Sequence, residues 1–259
     1  MRTLQTKIIA RLGKDNRVVK PWPANNNIYL SPHHDDIAFS LGARIAAEPG
    51  GRLVNLFTRS GYVAGTGLDQ APDAATIARI SALRLAEDEA FAGRYGLERI
   101  DLGLDEPPVR GRSPWDLQGL ADDIAQLRAP LSALLRKAGR ARVFCPAGIG
   151  GHVNHLAVRA VVIELLPELE RRGEVLFYED LPYASSSRAR RRWLPDLRTA
   201  LGGRRLRRRP SAAGAAKLVA VNFYSSQHDG EVTSLRRFSP RTFWPIGPHE
   251  AVWQAFTTS

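Results

Sequence analysis

With a single cysteine, Cys145, the chain can form no internal disulfide and no cysteine-rich zinc module. No uninterrupted run of about 18 apolar residues occurs, so no transmembrane anchor is expected. The first twenty residues, MRTLQTKIIARLGKDNRVVK, carry charges where a secretory signal needs a continuous apolar stretch. A cytoplasmic protein is therefore expected. Internal repeats are absent, and so is any linker long enough to separate domains. Lysine is scarce: only five of the 37 basic residues are not arginine.

What is present is enough for one large core. The chain has 259 residues, 44% of them hydrophobic, and reads as a single α/β domain over 1–259. Its formal charge of +11 is concentrated in one place. The stretch SRARRRWLPDLRTALGGRRLRRRP, 187–210, carries ten arginines and one aspartate. Such a run reads as a solvated loop or helix insertion that repels itself. Trp193 is its only aromatic residue, so it lacks the stacking residues of a single-strand binder. Specific nucleic-acid binding is not expected, and any non-specific binding should fade with salt.

Apolar, β-rich runs recur at 27–31, 52–58, 99–104, 142–147 and 174–180 and read as buried strands. Amphipathic helical patterns lie between them, at 37–47, 75–95, 115–138 and 155–172, the third expected to break at Pro130. After 217 the pattern reads as a further strand or helix and then irregular chain. This alternation predicts a Rossmann-like fold, a mainly parallel sheet flanked by helices. In such sheets ligands bind at the carboxyl ends of the strands, where the strand order reverses.

Two polar clusters fall there. LSPHHDD (30–36) follows the first strand and GIGGHVNH (148–155) follows the fourth; together they hold four of the six histidines. In the order 3-2-1-4-5, strands one and four are neighbours, and the two loops face each other across one cleft. Imidazole and carboxylate ligands suit zinc, and also iron(II) or another divalent ion. A catalytic zinc keeps three protein ligands and one open position. The first cluster can give a histidine and an aspartate, the second a further ligand. His152 and His155 are three apart and share a helix face, so one can bind metal while the other faces substrate. Taken singly, Asp35 or Asp36 could merely cap the next helix. Other metal patterns do not fit: His-Glu-x-x-His and His-x-His-x-Asp-His are both absent.

SPHHDD followed by GGHVNH resembles the LmbE-like, or PIG-L, family of metal-dependent deacetylases, whose first motif is His-Pro-Asp-Asp and whose second is His-x-x-His. RLAEDEAFAGRYGL (84–97), KLVAVNFYSSQ (217–227) and FYEDLPYA (177–184) are similar to further family segments. The resemblance implies that His33, Asp36 and His155 bind the metal and that Asp35 is the general base. It implies that His152 is the cationic or proton-donating partner of the developing oxyanion. His34 stands where the family has proline and is expected to point away from the metal. Tyr224 stands where the family more often has histidine. The implied reaction removes an acetyl group from an N-acetylated amino sugar or glycoconjugate, with Zn2+ as cofactor. Arg59 and Asp105 follow the second and third strands and are candidate substrate contacts, and Trp115 could stack on a pyranose face. The alternatives are an amidase of a thiol or sugar conjugate on the same site, and a polyanion-binding protein that uses the arginine run.

Overall fold

The computed structural model describes residues 26–64, 71–228, 230–242, 245 and 247–256. The first twenty residues, whose charges argue against a signal segment, lie outside the described residues. The five expected strands form β1 (Asn27–Ser31), β2 (Arg52–Arg59), β3 (Glu98–Asp105), β4 (Arg142–Pro146) and β5 (Glu174–Tyr178). All pair in parallel, in the order β3-β2-β1-β4-β5. Strand β1 is the centre, and each of its five residues is buried. A strand covered on both faces must be apolar throughout, which is why NIYL shows no alternation.

The helices that follow these strands are α1 (Asp36–Ala47), α2 (Ala74–Tyr95), α3 (Leu120–Lys137) and α4 (Val153–Glu164). Pro130 lies inside α3 without ending it. The N–H it lacks would have bonded the Gln126 carbonyl, and Gln126 is exposed, so water can serve that carbonyl instead. The pattern at 155–172 instead divides at Leu165 into α4 and α5 (Leu166–Arg172). Pro167 sits in the first turn of α5, where its missing N–H costs nothing.

The arginine-rich stretch is helical in its first half, one of the two expected forms, but not in its second. It folds as α6 (Ser187–Ala200) and then as β6 (Arg205–Ala212), so its second half belongs to the sheet. The segment at 217 forms α7 (Ala215–Asn222) and the chain returns as β7 (His249–Phe256), where no strand was expected. Strand β7 pairs antiparallel with β5 and β6, extending the sheet to seven strands. Several arginines hold this edge in place. Arg190 and Arg208 both bond the fully buried Glu179 carboxylate, which also accepts from Trp253 Nε1 at 2.9 Å. Arg204 pairs with Glu170 at 2.9 Å and Arg209 with Glu174 at 2.8 Å. Among the described residues, no helix is long and apolar enough to cross a membrane.

Helix α1 is clasped between the sheet and α7. A Cβ at Gly42 would lie 2.5 Å from Ala220 Cβ, so the two helices touch through a missing side chain. Gly42→Ala should therefore destabilise by about 1–3 kcal/mol by overpacking, although alanine is the better helix former. Denaturant unfolding would check this, and Ala220→Gly in the same chain should recover some of the loss.

Candidate functional site

Two of the loops that leave the carboxyl ends of neighbouring strands β1 and β4 meet in one cleft. The first makes a tight turn. Ser31 donates its hydroxyl to the His33 carbonyl, and Pro32 accepts from the Phe57 N–H at 2.9 Å. Asp36 opens α1 and folds back, its Oδ2 accepting from the His33 N–H at 2.8 Å and lying 3.1 Å from His33 Nδ1. Its other oxygen is 3.3 Å from His155 Nε2. His33, Asp36 and His155, from two loops far apart in sequence, are thus in direct contact.

In the second loop, Gly150 and Gly151 have φ of +108° and +77°, left-handed conformations that favour glycine. A Cβ at Gly150 would lie 2.6 Å from Tyr183 Cγ, and one at Gly151 would collide with Trp193. These glycines let aromatic side chains close over the loop. His152 then caps α4, its Nδ1 accepting from the Asn154 N–H at 3.3 Å. Its ring lies 4.5 Å from that of His33 and 5.0 Å from that of His155, so three imidazoles converge. Burial first, then the neighbouring His33 and His155, hold the His152 imidazole well below its usual pKa. A neutral ring whose Nδ1 accepts carries its proton on Nε2 and is a donor there.

Two residues orient these side chains that were not picked out as site residues from the sequence. Asp180, just past β5 and fully buried, bonds His155 Nδ1 through Oδ1 at 2.7 Å and accepts from the Ile149 N–H through Oδ2 at 2.8 Å. Asn154 sits between the loops, its Oδ1 3.1 Å from His33 Nε2 and its Nδ2 donating to Asp123 at 2.7 Å. A carboxylate at the end of a strand beside β4 was a readable signal for Asp180. Asn154 had none beyond lying between two histidines.

His155 tests whether the residues fit a cation. Its Nδ1 donates to a carboxylate, so a neutral ring would aim a lone pair from Nε2 at an Asp36 oxygen. That nitrogen is buried and has no hydrogen-bond partner, although the oxygen is only 3.3 Å away. Two acceptors in such contact need a positive charge, which a proton on the imidazole or a bound metal can supply. Burial opposes charging the imidazole, yet Asp36 and Asp180 push its pKa up to about 10. The pocket therefore favours positive charge, and His33, Asp36 and His155 offer a donor set suited to a divalent metal.

Asp35 is held apart from this group. Its Oδ1 accepts from Arg84 at 3.0 Å, and Arg84 also donates to Glu106 at 2.6 Å and Ser60 at 2.8 Å. Burial raises the Asp35 pKa, Arg84 opposes the rise and the Asp36 charge adds to it. Adjacent aspartates thus differ in surroundings: Asp36 faces the histidines, Asp35 faces an arginine and the cleft.

His34 is close to Asp88 and Asp101 and not to the converging histidines. Arg99 already binds both carboxylates, at 2.6 and 2.5 Å. Burial, then Arg84 and Arg99, lower the His34 pKa to about 3, so it packs there as a neutral ring. Tyr224 is fully buried and donates its hydroxyl to Asp88 at 2.7 Å. Arg59 and Asp105 pair with each other at 2.7 Å and do not line the cleft.

The cavity above the site is about 330 Å³. His33, Asp35, Asp36 and His152 reach it from below. Phe39, Trp115 and Tyr183 form apolar walls, and Tyr62, Gln227 and Arg237 bring polar groups to it. Trp115 stands 54% exposed, its ring edge-on to those of His152 and Tyr183 at 5.1 and 5.9 Å.

No family model matches the chain. It is 34% identical over 178 residues to 2'-N-acetylparomamine deacetylase of Streptomyces fradiae, a match covering 61% of this chain. The chain spans 57% of that protein's length. Among solved structures, it matches a deacetylase of the teicoplanin biosynthesis pathway with a TM-score of 0.61 at 20% identity, over 90% of this chain and 98% of the other. It matches the zinc-inhibited form of teicoplanin deacetylase with a TM-score of 0.59 at 21% identity, over the same shares of the two chains. The chain carries the fold of these solved deacetylases and is a sequence relative of a deacetylase of an N-acetylated sugar.

Proposed function

We propose that this chain belongs to the LmbE-like, PIG-L family and is a divalent-metal-dependent N-deacetylase of an N-acetylated amino sugar or glycoconjugate. The observation that carries this reading is the convergence of His33, Asp36 and His155 in one buried cluster beside the cavity, where Asp36 and Asp180 favour a positive charge. His33, Asp36 and His155 would hold the metal, and Asp180 would fix the His155 ring. Zinc suits these donors, as do iron(II) and other divalent ions. A metal bound there supplies Lewis acidity toward the amide carbonyl and lowers the pKa of water.

The chain's own residues do the rest. Asp35, held at one oxygen by Arg84, accepts a proton from water at the cleft. The water oxygen adds to the acetyl carbon. His152 donates from Nε2 to the oxygen that gains charge, as a neutral donor and not as a cation. One such preorganised donor contributes about 3–4 kcal/mol. The C–N bond then breaks, acetate departs, and the proton held by Asp35 returns to the leaving amine. Trp115 and Tyr183 offer an aromatic wall for the apolar face of a sugar ring. The polyanion-binding alternative loses ground because four of the ten arginines in 187–210 are held by carboxylates.

Incubation with a panel of N-acetylated amino sugars tests the reading: acetate and free amine should appear in equal amounts. Binding of these sugars with no acetate release would reject it. A second expectation concerns Asp180. Asp180→Asn should weaken metal affinity about 10- to 100-fold, the usual effect of losing a carboxylate behind a ligating histidine. Competition with a chromogenic chelator would measure it, and an unchanged affinity would remove His155 from the ligand set.

A further inference from the structure

The cleft contains one charge that neither the fold nor the proposed chemistry uses. Each acidic group around it has a partner. Arg84 binds Asp35 and Glu106, while His33 and His155 flank Asp36. Arg237 also lines the cavity, is exposed, and has no carboxylate partner among the described residues. Its backbone is firmly placed. Asn222 of α7 bonds Val232 in both directions, at 3.0 and 2.9 Å. The Phe238 ring packs 4.9 Å from Phe39 of α1, and the Arg241 N–H reaches the Ala184 carbonyl. Beside Arg237, Gln227 is steadied by its donation to Ser226 at 2.7 Å, and Ser226 is anchored on Glu87.

A guanidinium at the wall of a substrate cavity, carried there by a held backbone and with no carboxylate partner among the described residues, is placed to receive an anion. We propose that Arg237 recognises a carboxylate or phosphate on the substrate, so that the chain acts on an acidic N-acylated amino sugar. This deepens the deacetylase reading and rests on it. Arg237 would set specificity and stay out of the bond-breaking step.

The experiment compares four substrates: N-acetylglucosamine, its 1-phosphate, N-acetylglucosaminuronic acid, and the cationic 2'-N-acetylparomamine. Acetate release by the metal-loaded protein should show the highest kcat/KM for an anionic member, and the 1-phosphate and uronate arms identify which anion is read. In Arg237→Ala the anionic-to-neutral ratio of kcat/KM should fall about 10- to 100-fold, mainly through KM, with partial recovery in Arg237→Lys. A neutral or cationic sugar preferred over both anions would overturn the proposal, and so would a ratio that the substitution leaves unchanged. Calorimetric binding of glucosamine 1-phosphate separates the two readings. Binding that depends on Arg237 without turnover of any substrate supports the anion site and rejects the deacetylase. Neither turnover nor Arg237-dependent binding rejects both.

Discussion

Asp35→Asn is expected to lower acetate release by about 10²- to 10⁴-fold, or about 3–5 kcal/mol of barrier, while the protein keeps its metal. The amide cannot take the water proton, but it can still accept from Arg84, and Arg84 keeps Glu106. The surrounding fold is therefore preserved. Asp36→Asn should do the opposite and act first on metal content, because a neutral amide is a poor ligand for a divalent cation and Asp36 is the residue that touches both histidines. The check is metal content and acetate release measured side by side. Asp35→Asn losing the metal while Asp36→Asn keeps it would reverse the two roles.

His155→Ala carries the second large effect, on metal occupancy and on stability together. Its loss should weaken metal binding more than Asp180→Asn does, because it removes a ligand and not the group behind it. It also leaves Asp180 buried without its partner, which should cost about 3–5 kcal/mol of folding stability. Elemental analysis and denaturant unfolding measure the two. His155→Gln, which restores a donor toward Asp180, separates them: stability should partly return and metal should not. Full occupancy in both variants would exclude His155 as a ligand.

The centre of the sheet was legible because its physics is local. Strands buried on both faces must be continuous apolar runs, and the helices between them show one apolar side, so β1, β2, β4 and β5 and the helices that cover them stood out. Strand β3, at the sheet edge with no fully buried residue, was expected to be buried and is not. The cleft followed from the order of those strands, which places HHDD beside GGHVNH. Strands β6 and β7 were not legible. RLRRRPSA is half exposed in alternation and carries four arginines, so it looks like solvated chain until Glu174 and Glu179 are brought to it by the fold. The role of Asn154 was hidden for the same reason, since its partner lies 121 residues away, whereas Asp180 had a readable position at a strand end. Arg59 and Asp105 are a different case. Both follow strand ends, as site residues often do, but they satisfy each other on adjacent strands β2 and β3.

The most direct test of the central claim is acetate release from N-acetylated amino sugars by protein stripped of metal, before and after zinc or iron(II) is restored at one equivalent per chain. A metal-dependent deacetylase should release nothing when stripped and should recover as the single site fills. Equal release with and without metal would contradict that claim.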